Sequence, residues 1–162
     1  DAELLPIQPN SVDWVISNLA FQGCNLEKVF SEVKRILKPE GNFYFTTFGV
    51  NTLCELKKAW QEVDNYQHVN AFYSTAHLSN LLQHAGFQDI EWDNKPYVSI
   101  YESVWDLMFE LKQLGAHTVI EGSSKHLITK TKMQRMICAY QKQDVNGLIP
   151  ATFDVITTSA KG

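Results

Sequence analysis

One stretch of this 162-residue chain carries charge of a single sign, a run of cations. Lys125, Lys130, Lys132, Arg135 and Lys142 follow one another with no acidic residue between them. Such a run is either a solvated helix face or a patch that steers an acidic partner into place. The other reactive side chains form no obvious catalytic set. Cys24, Cys54 and Cys138 are odd in number and make no CxxC pair. That argues against a disulfide framework or a zinc site, and for a reducing, cytoplasmic setting. His77 and His84 share a helix face but lie ~10 Å apart on helical rise, too far for one metal ion. Cys24 has no oriented base beside it and reads as a small buried thiol. The candidate residues that remain fall at strand ends and in one long loop: Asn18, Leu19, Gln22, Phe48, His68 and Asn70, with Lys112 on a helix.

The elements that must position these residues alternate between strand and helix, which indicates an α/β domain. Val12–Ser17 (VDWVIS) is short, apolar and β-branched, as a covered strand is. Asn25 can cap a helix bearing Leu26, Val29, Phe30, Val33, Ile36 and Leu37, and Lys38-Pro39-Glu40-Gly41 is expected to end it. Asn42–Phe48 is a second strand. A helix is expected over Thr52–Val63, a loop over Asp64–Tyr73, and a helix capped by Ser74 and stopped near Gly86. Separate strands are expected at Gln88–Trp92 and Tyr97–Tyr101. Ser103 and Asp106 resemble a capping box before a helix that Gly115 stops. Thr129 opens another helix, and Ala151–Thr158 is the last strand.

Composition bounds the class. A net charge of −4 argues against a nucleic-acid surface. No apolar run approaches the ~18 residues of a membrane span, and no leader opens the chain. The glycines are scattered singly, without the GxGxxG cluster that a nucleotide-binding βαβ unit requires. The chain is therefore expected to begin within a domain.

Two stretches resemble class I S-adenosylmethionine-dependent methyltransferases: Asp1–Pro6 with Ser11–Ala20, and Glu32–Gly41 with Asn42–Thr47. A narrower likeness lies in Ser17–Cys24 (SNLAFQGC), Thr52–Leu56, Ala59-Trp60, Asp64–Phe72, Glu110–Ala116 and Leu148–Asp154 (LIPATFD). Together these resemble the malonyl-acyl carrier protein O-methyltransferases of biotin synthesis over almost the whole chain. The chain departs from that pattern at Gly23, where tryptophan is usual, at Glu40, where glycine is usual, and at Ser123, where arginine is common.

The resemblance implies the carboxy-terminal half of a Rossmann-like sheet with added helices on the acceptor side. Residues 1–50 would end the cofactor-binding core, 51–147 form a helical acceptor-side region, and 148–162 hold the last strand and tail. It implies S-adenosylmethionine as methyl donor, with Asp1 and Ala2 at the adenine and Asn18 and Leu19 beside the cofactor. Gln22, Phe48, His68, Asn70 and Lys112 would surround a malonyl carboxylate, with Lys112 or His68 as the charge-assisted donor. Lys125, Lys130, Lys132, Arg135 and Lys142 would dock the acidic carrier protein. A carboxylate acceptor is already an anion, so no general base is needed and the missing catalytic dyad is expected. Each residue also has an ordinary reading: Asp1 a solvated end, Asn18 a turn residue, Phe48 core, His68 and Lys112 surface. Two other functions are open at this stage. One is a methyltransferase for another small carboxylate. The other is a non-catalytic fragment or interaction module that self-associates through an exposed strand edge.

Overall fold

A computed structural model describes residues 1–113 and 128–162. Its elements run β1 (Val12–Asn18), α1 (Leu26–Ile36), β2 (Leu37–Phe48), α2 (Cys54–Gln61), α3 (Thr75–His84), β3 (Gln88–Tyr101), α4 (Val104–Gln113), α5 (Lys130–Gln141) and β4 (Ile149–Lys161). The four strands form one sheet in the order β1-β2-β4-β3. β1 lies parallel to β2, with α1 as the connection such a pair needs, and β2 lies antiparallel to β4. This is the α/β arrangement expected.

The local signals hold where they were read. Asn25, Ser74 and Thr129 accept from the backbone N–H groups of Lys28, His77 and Lys132. Ser103 Oγ donates to Asp106 Oδ2 and accepts from the Asp106 N–H, so serine and aspartate serve as the box. Three expectations are corrected. Helix α1 does end before Lys38–Gly41, but the second strand, expected from Asn42, begins at Leu37 and takes that corner into β2. The extra residues are absorbed by a register shift against β1 between Val12 and Trp14, with Glu40 at φ 63°. That left-handed backbone is one a glycine adopts without cost. The two expected strands at 88–92 and 97–101 are one strand, in which Pro96 is tolerated because β3 is an edge. The helix expected over Thr52–Val63 is shorter, since Leu53 adopts φ 54° and starts it late.

The chain divides into two units. The first comprises residues 1–50, 73–95 and 154–162. Its core packs Val29 and Phe30 of α1 and Leu78 and Leu82 of α3 onto Phe43 and Phe45 of β2. Phe43 and Phe45 stack with ring centroids 4.8 Å apart, and Phe30 meets Phe43 edge-on at 5.9 Å. The other face of β1 presents Trp14 and Ile16, 59% and 74% exposed.

The second unit comprises residues 51–72 and 96–153. Leu56 and Trp60 of α2 pack with Leu107 of α4 and Met136 and Tyr140 of α5. Trp60 and Met136 are thus core. The Tyr140 hydroxyl donates to the Pro150 carbonyl at 2.8 Å, and burial pushes its pKa up. Among the described residues no helix is long and apolar enough to cross a membrane.

Candidate functional site

In the first unit, β1 and β2 end side by side, where open α/β sheets place ligands. Asn18 pairs with Thr46 across the ladder. The Thr46 hydroxyl donates to Asn18 Oδ1 at 2.6 Å and accepts from the Leu19 N–H at 3.0 Å. Leu19 also reaches the Thr46 carbonyl at 3.2 Å and takes φ 49°, a conformation costly for a branched side chain. Gln22 Nε2 donates to the buried Thr47 hydroxyl at 3.4 Å. Phe48, the last residue of β2, is half-buried opposite Val155. Just beyond it, a Cβ on Gly49 would stand 2.6 Å from Oδ2 of the buried Asp154.

The segment that carries Asp1 and Ala2 is held to α1 by charge. Glu32 accepts from the Leu5 N–H at 2.9 Å and from two nitrogens of Arg35, each at 2.8 Å. Arg35 in turn donates to the carbonyls of Leu5 and Ile7. The Arg35 guanidinium and the Leu5 amide hold the Glu32 carboxyl down at about 2. Glu3 accepts from the Asn25 N–H, and Asp1 Oδ1 from the Glu3 N–H. An exposed Asp1 is thereby given a fixed turn.

The second unit is organised around Asp64. Oδ2 accepts from Lys132 Nζ at 2.8 Å, Oδ1 from the Tyr66 N–H at 3.1 Å, and His68 Nε2 lies 2.7 Å from Oδ1. Burial pushes the Asp64 carboxyl up, but the bonds from Lys132 and His68 outweigh it and hold the group well below the usual range. An ionised carboxylate only accepts, so His68 Nε2 carries the proton of that bond. The His68 ring stacks on Trp60, centroids 3.9 Å apart. The ordinary alternative of a surface histidine does not hold, since His68 is 5% exposed. Asn70 is half-buried and Lys112 exposed on α4.

The cation run is uneven. Lys132 is spoken for by Asp64, and Lys142 Nζ sits 2.6 Å from Glu62. Among the described residues, Lys130 and Arg135 make no ion pair. With Glu62, Gln134, Cys138 and Lys142 they line a groove of about 470 Å³ along α5. Lys125 lies outside the described residues, as does Ser123.

The first unit thus ties Asn18 and Leu19 to Thr46 and Gln22 to the adjacent Thr47, and the second joins Lys132 of α5 and His68 to Asp64. Sequence reading passed over Thr46, Asp64 and Glu32. Thr46 meets Asn18 only through the β1–β2 register, in which the two are direct partners. Asp64 and Lys132 are 68 residues apart and leave no local signal. Among the described residues no cluster could hold a metal ion.

Residues 1–45 match a family model described as a methyltransferase domain. The chain is 40% identical over 159 residues to the malonyl-[acyl-carrier protein] O-methyltransferase of Methylococcus capsulatus, covering 97% of this chain and 58% of that protein. It is 39% identical to the protein of the same name in Nitrosospira multiformis, over 96% of this chain and 51% of the relative. The biotin biosynthesis bifunctional protein BioHC of Cellvibrio japonicus is 38% identical, with 96% and 31% covered. The chain therefore spans no more than about three fifths of these relatives' length. Among solved structures, the YcgJ protein of Bacillus subtilis superposes with a TM-score of 0.59 at 13% identity, covering 99% of this chain and 68% of that one. Phosphoethanolamine N-methyltransferase 2 of Haemonchus contortus gives 0.53 at 18%, covering 99% and 36%. At such identities these superpositions speak to fold alone.

Proposed function

We propose that this chain, which has the sequence and fold of the class I methyltransferase family, serves methyl transfer from S-adenosylmethionine to the free carboxylate of a malonyl-acyl carrier protein. The observation that carries the reading is the 40% identity sustained across 97% of the chain, both units included, to a relative named for that reaction. The biotin pathway follows from the same names. The sustained match favours this over a different small carboxylate or a non-catalytic module.

The residues present fit part of such a cofactor. Asn18 presents an amide at the end of β1, and Asp1 stands exposed on a segment that Glu32 and Arg35 hold in place. When bound, S-adenosylmethionine supplies a methyl carbon that an acceptor oxygen can attack as the carbon–sulfur bond breaks. The protein's share is alignment and removal of water from the acceptor carboxylate, with no proton to move. Gln22 and Phe48 are proposed to face the acceptor from the strand ends. Asn70, Lys112 and His68 are proposed acceptor contacts on the family likeness. Lys112 is the exposed cation among them, whereas His68 Nε2 already serves Asp64. An acidic carrier protein would dock on α5, chiefly at Lys130 and Arg135.

The test is transfer of labelled methyl by the intact natural protein to malonyl-carrier protein, with free dicarboxylic acids in competition. Labelled carrier protein, little displaced by free acids, is expected. Preferential labelling of a free acid would move the activity to another acceptor, and no transfer to any would overturn the reading.

A further inference from the structure

The amide of Asn18 can face two ways, and the structure decides between them. Its Oδ1 lies 2.6 Å from Thr46 Oγ1. That separation suits an O–H···O bond and is short for an amide N–H donor, so the hydroxyl is the donor and the amide oxygen the acceptor. The same hydroxyl accepts from the Leu19 N–H at 3.0 Å, which occupies its other side. The threonine hydroxyl has one proton, and it is committed. Asn18 Nδ2, with two donors, is therefore the end of the amide turned away from Thr46. Asn18 is exposed and is the last residue of β1, at the edge where α/β sheets receive ligands.

We propose that Thr46 is a positioning residue: it locks the Asn18 amide so that Nδ2 donates to a carboxylate of the bound ligand. Two carboxylates fit this chemistry, the amino-acid end of the methyl donor and the acceptor's own. The inference rests on the proposed methyl transfer for the ligand's identity, but the locked amide stands on the hydrogen bonds alone. The neighbouring Thr47 holds Gln22 in the opposite sense, its hydroxyl accepting from Gln22 Nε2 at 3.4 Å. Thr46 also spares the Leu19 turn, whose left-handed backbone would otherwise rest on the single bond to the Thr46 carbonyl.

The experiment compares Thr46→Val, which keeps the shape and removes the hydroxyl, with Thr46→Ser, which keeps the hydroxyl. Two readouts are taken on the intact natural protein. In the unliganded protein, the Asn18 side-chain amide signal, assigned by its loss in Asn18→Asp, reports the lock. It is expected to move in Thr46→Val and to stay in place in Thr46→Ser. For the ligand, affinity for S-adenosylhomocysteine by calorimetry and KM for each substrate are measured. Thr46→Val is expected to weaken one of them roughly ten-fold or more, the effect of losing a hydrogen bond to a charged group, with kcat changed far less. A change confined to S-adenosylhomocysteine and donor KM assigns the carboxylate to the donor. A change confined to acceptor KM assigns it to the acceptor. Equal behaviour of the two variants in both readouts overturns the proposal. An Asn18 signal that ignores Thr46→Val overturns it even if methyl transfer itself is confirmed. Wild-type protein that binds no S-adenosylhomocysteine and transfers no methyl overturns the ligand assignment together with the proposed function.

Discussion

Replacing Asp64 with alanine should destabilise the second unit more than any other single change to an ionised side chain there. The carboxylate is 13% exposed and holds Lys132, His68 and the Tyr66 amide. Deleting one partner of a buried charge pair costs about 3–5 kcal/mol. Lys132 is 33% exposed and regains some hydration, so the lower end, about 3 kcal/mol, is the appropriate figure. For a chain of this size each kcal/mol moves Tm by about 2–4 °C, so a fall of roughly 6–12 °C is expected. Differential scanning calorimetry at neutral pH measures it, and a double-mutant cycle with Lys132→Met isolates the ion pair. The sign with pH is set by the lowered Asp64 pKa. The stabilisation is fully present above the unfolded carboxyl value, about 4, and is lost as pH falls from there towards the folded value. The gap between wild type and Asp64→Asn should close on acidification. An Asp64→Ala change within about 0.5 kcal/mol of wild type, the range of an ordinary surface substitution, would exclude this role for Asp64. Strict additivity with Lys132→Met would do the same.

Glu32→Gln should release the segment before β1, with faster exchange of the Leu5 amide by hydrogen-exchange mass spectrometry. In the wild type the same release should occur on acidification, from the unfolded glutamate value, about 4.3, down to the folded value of about 2. Unchanged protection of Leu5 would remove this role. Gly49→Ala should cost about 1–3 kcal/mol, because its Cβ would stand 2.6 Å from Asp154 Oδ2 and 3.1 Å from Ile156 Cδ1. An unaltered Tm would show that the carboxylate moves aside freely. Reversing charge at Lys130 and Arg135 should slow methylation of carrier protein at low salt and matter less at high salt. Equal rates at low salt would dismiss α5 as the docking surface.

What could be read from the sequence was local. Asn25, Ser74, Ser103 and Thr129 announce helix starts because each bonds within its own next turn. The strand termini were less legible, since neighbours far along the chain decide how far a strand pairs. β4 runs from Ile149 to Lys161 because its second half, from Val155, pairs with β2, seven residues forming the ladder. Pro96 reads as a break unless β3 is known to be an edge. The left-handed residues Leu19, Glu40 and Leu53 carry no turn-forming side chain. The resemblance points to the end of β1 as a candidate ligand site, yet the contact of the Thr46 hydroxyl with Asn18 depends on strand pairing. Likewise the cation run was visible, whereas the pairing of Lys132 and Lys142 depends on Asp64 and Glu62, and Lys130 and Arg135 have no ion pair among the described residues.

On the proposed function, a free carboxylate on a carrier-bound acyl group receives the methyl. Mass spectrometry of malonyl- and acetyl-carrier protein after parallel incubation with the intact natural protein and S-adenosylmethionine tests it directly. Gain of one methyl ester on the malonyl form and none on the acetyl form is the expected result. Methylation of the acetyl form, or of neither, would contradict it.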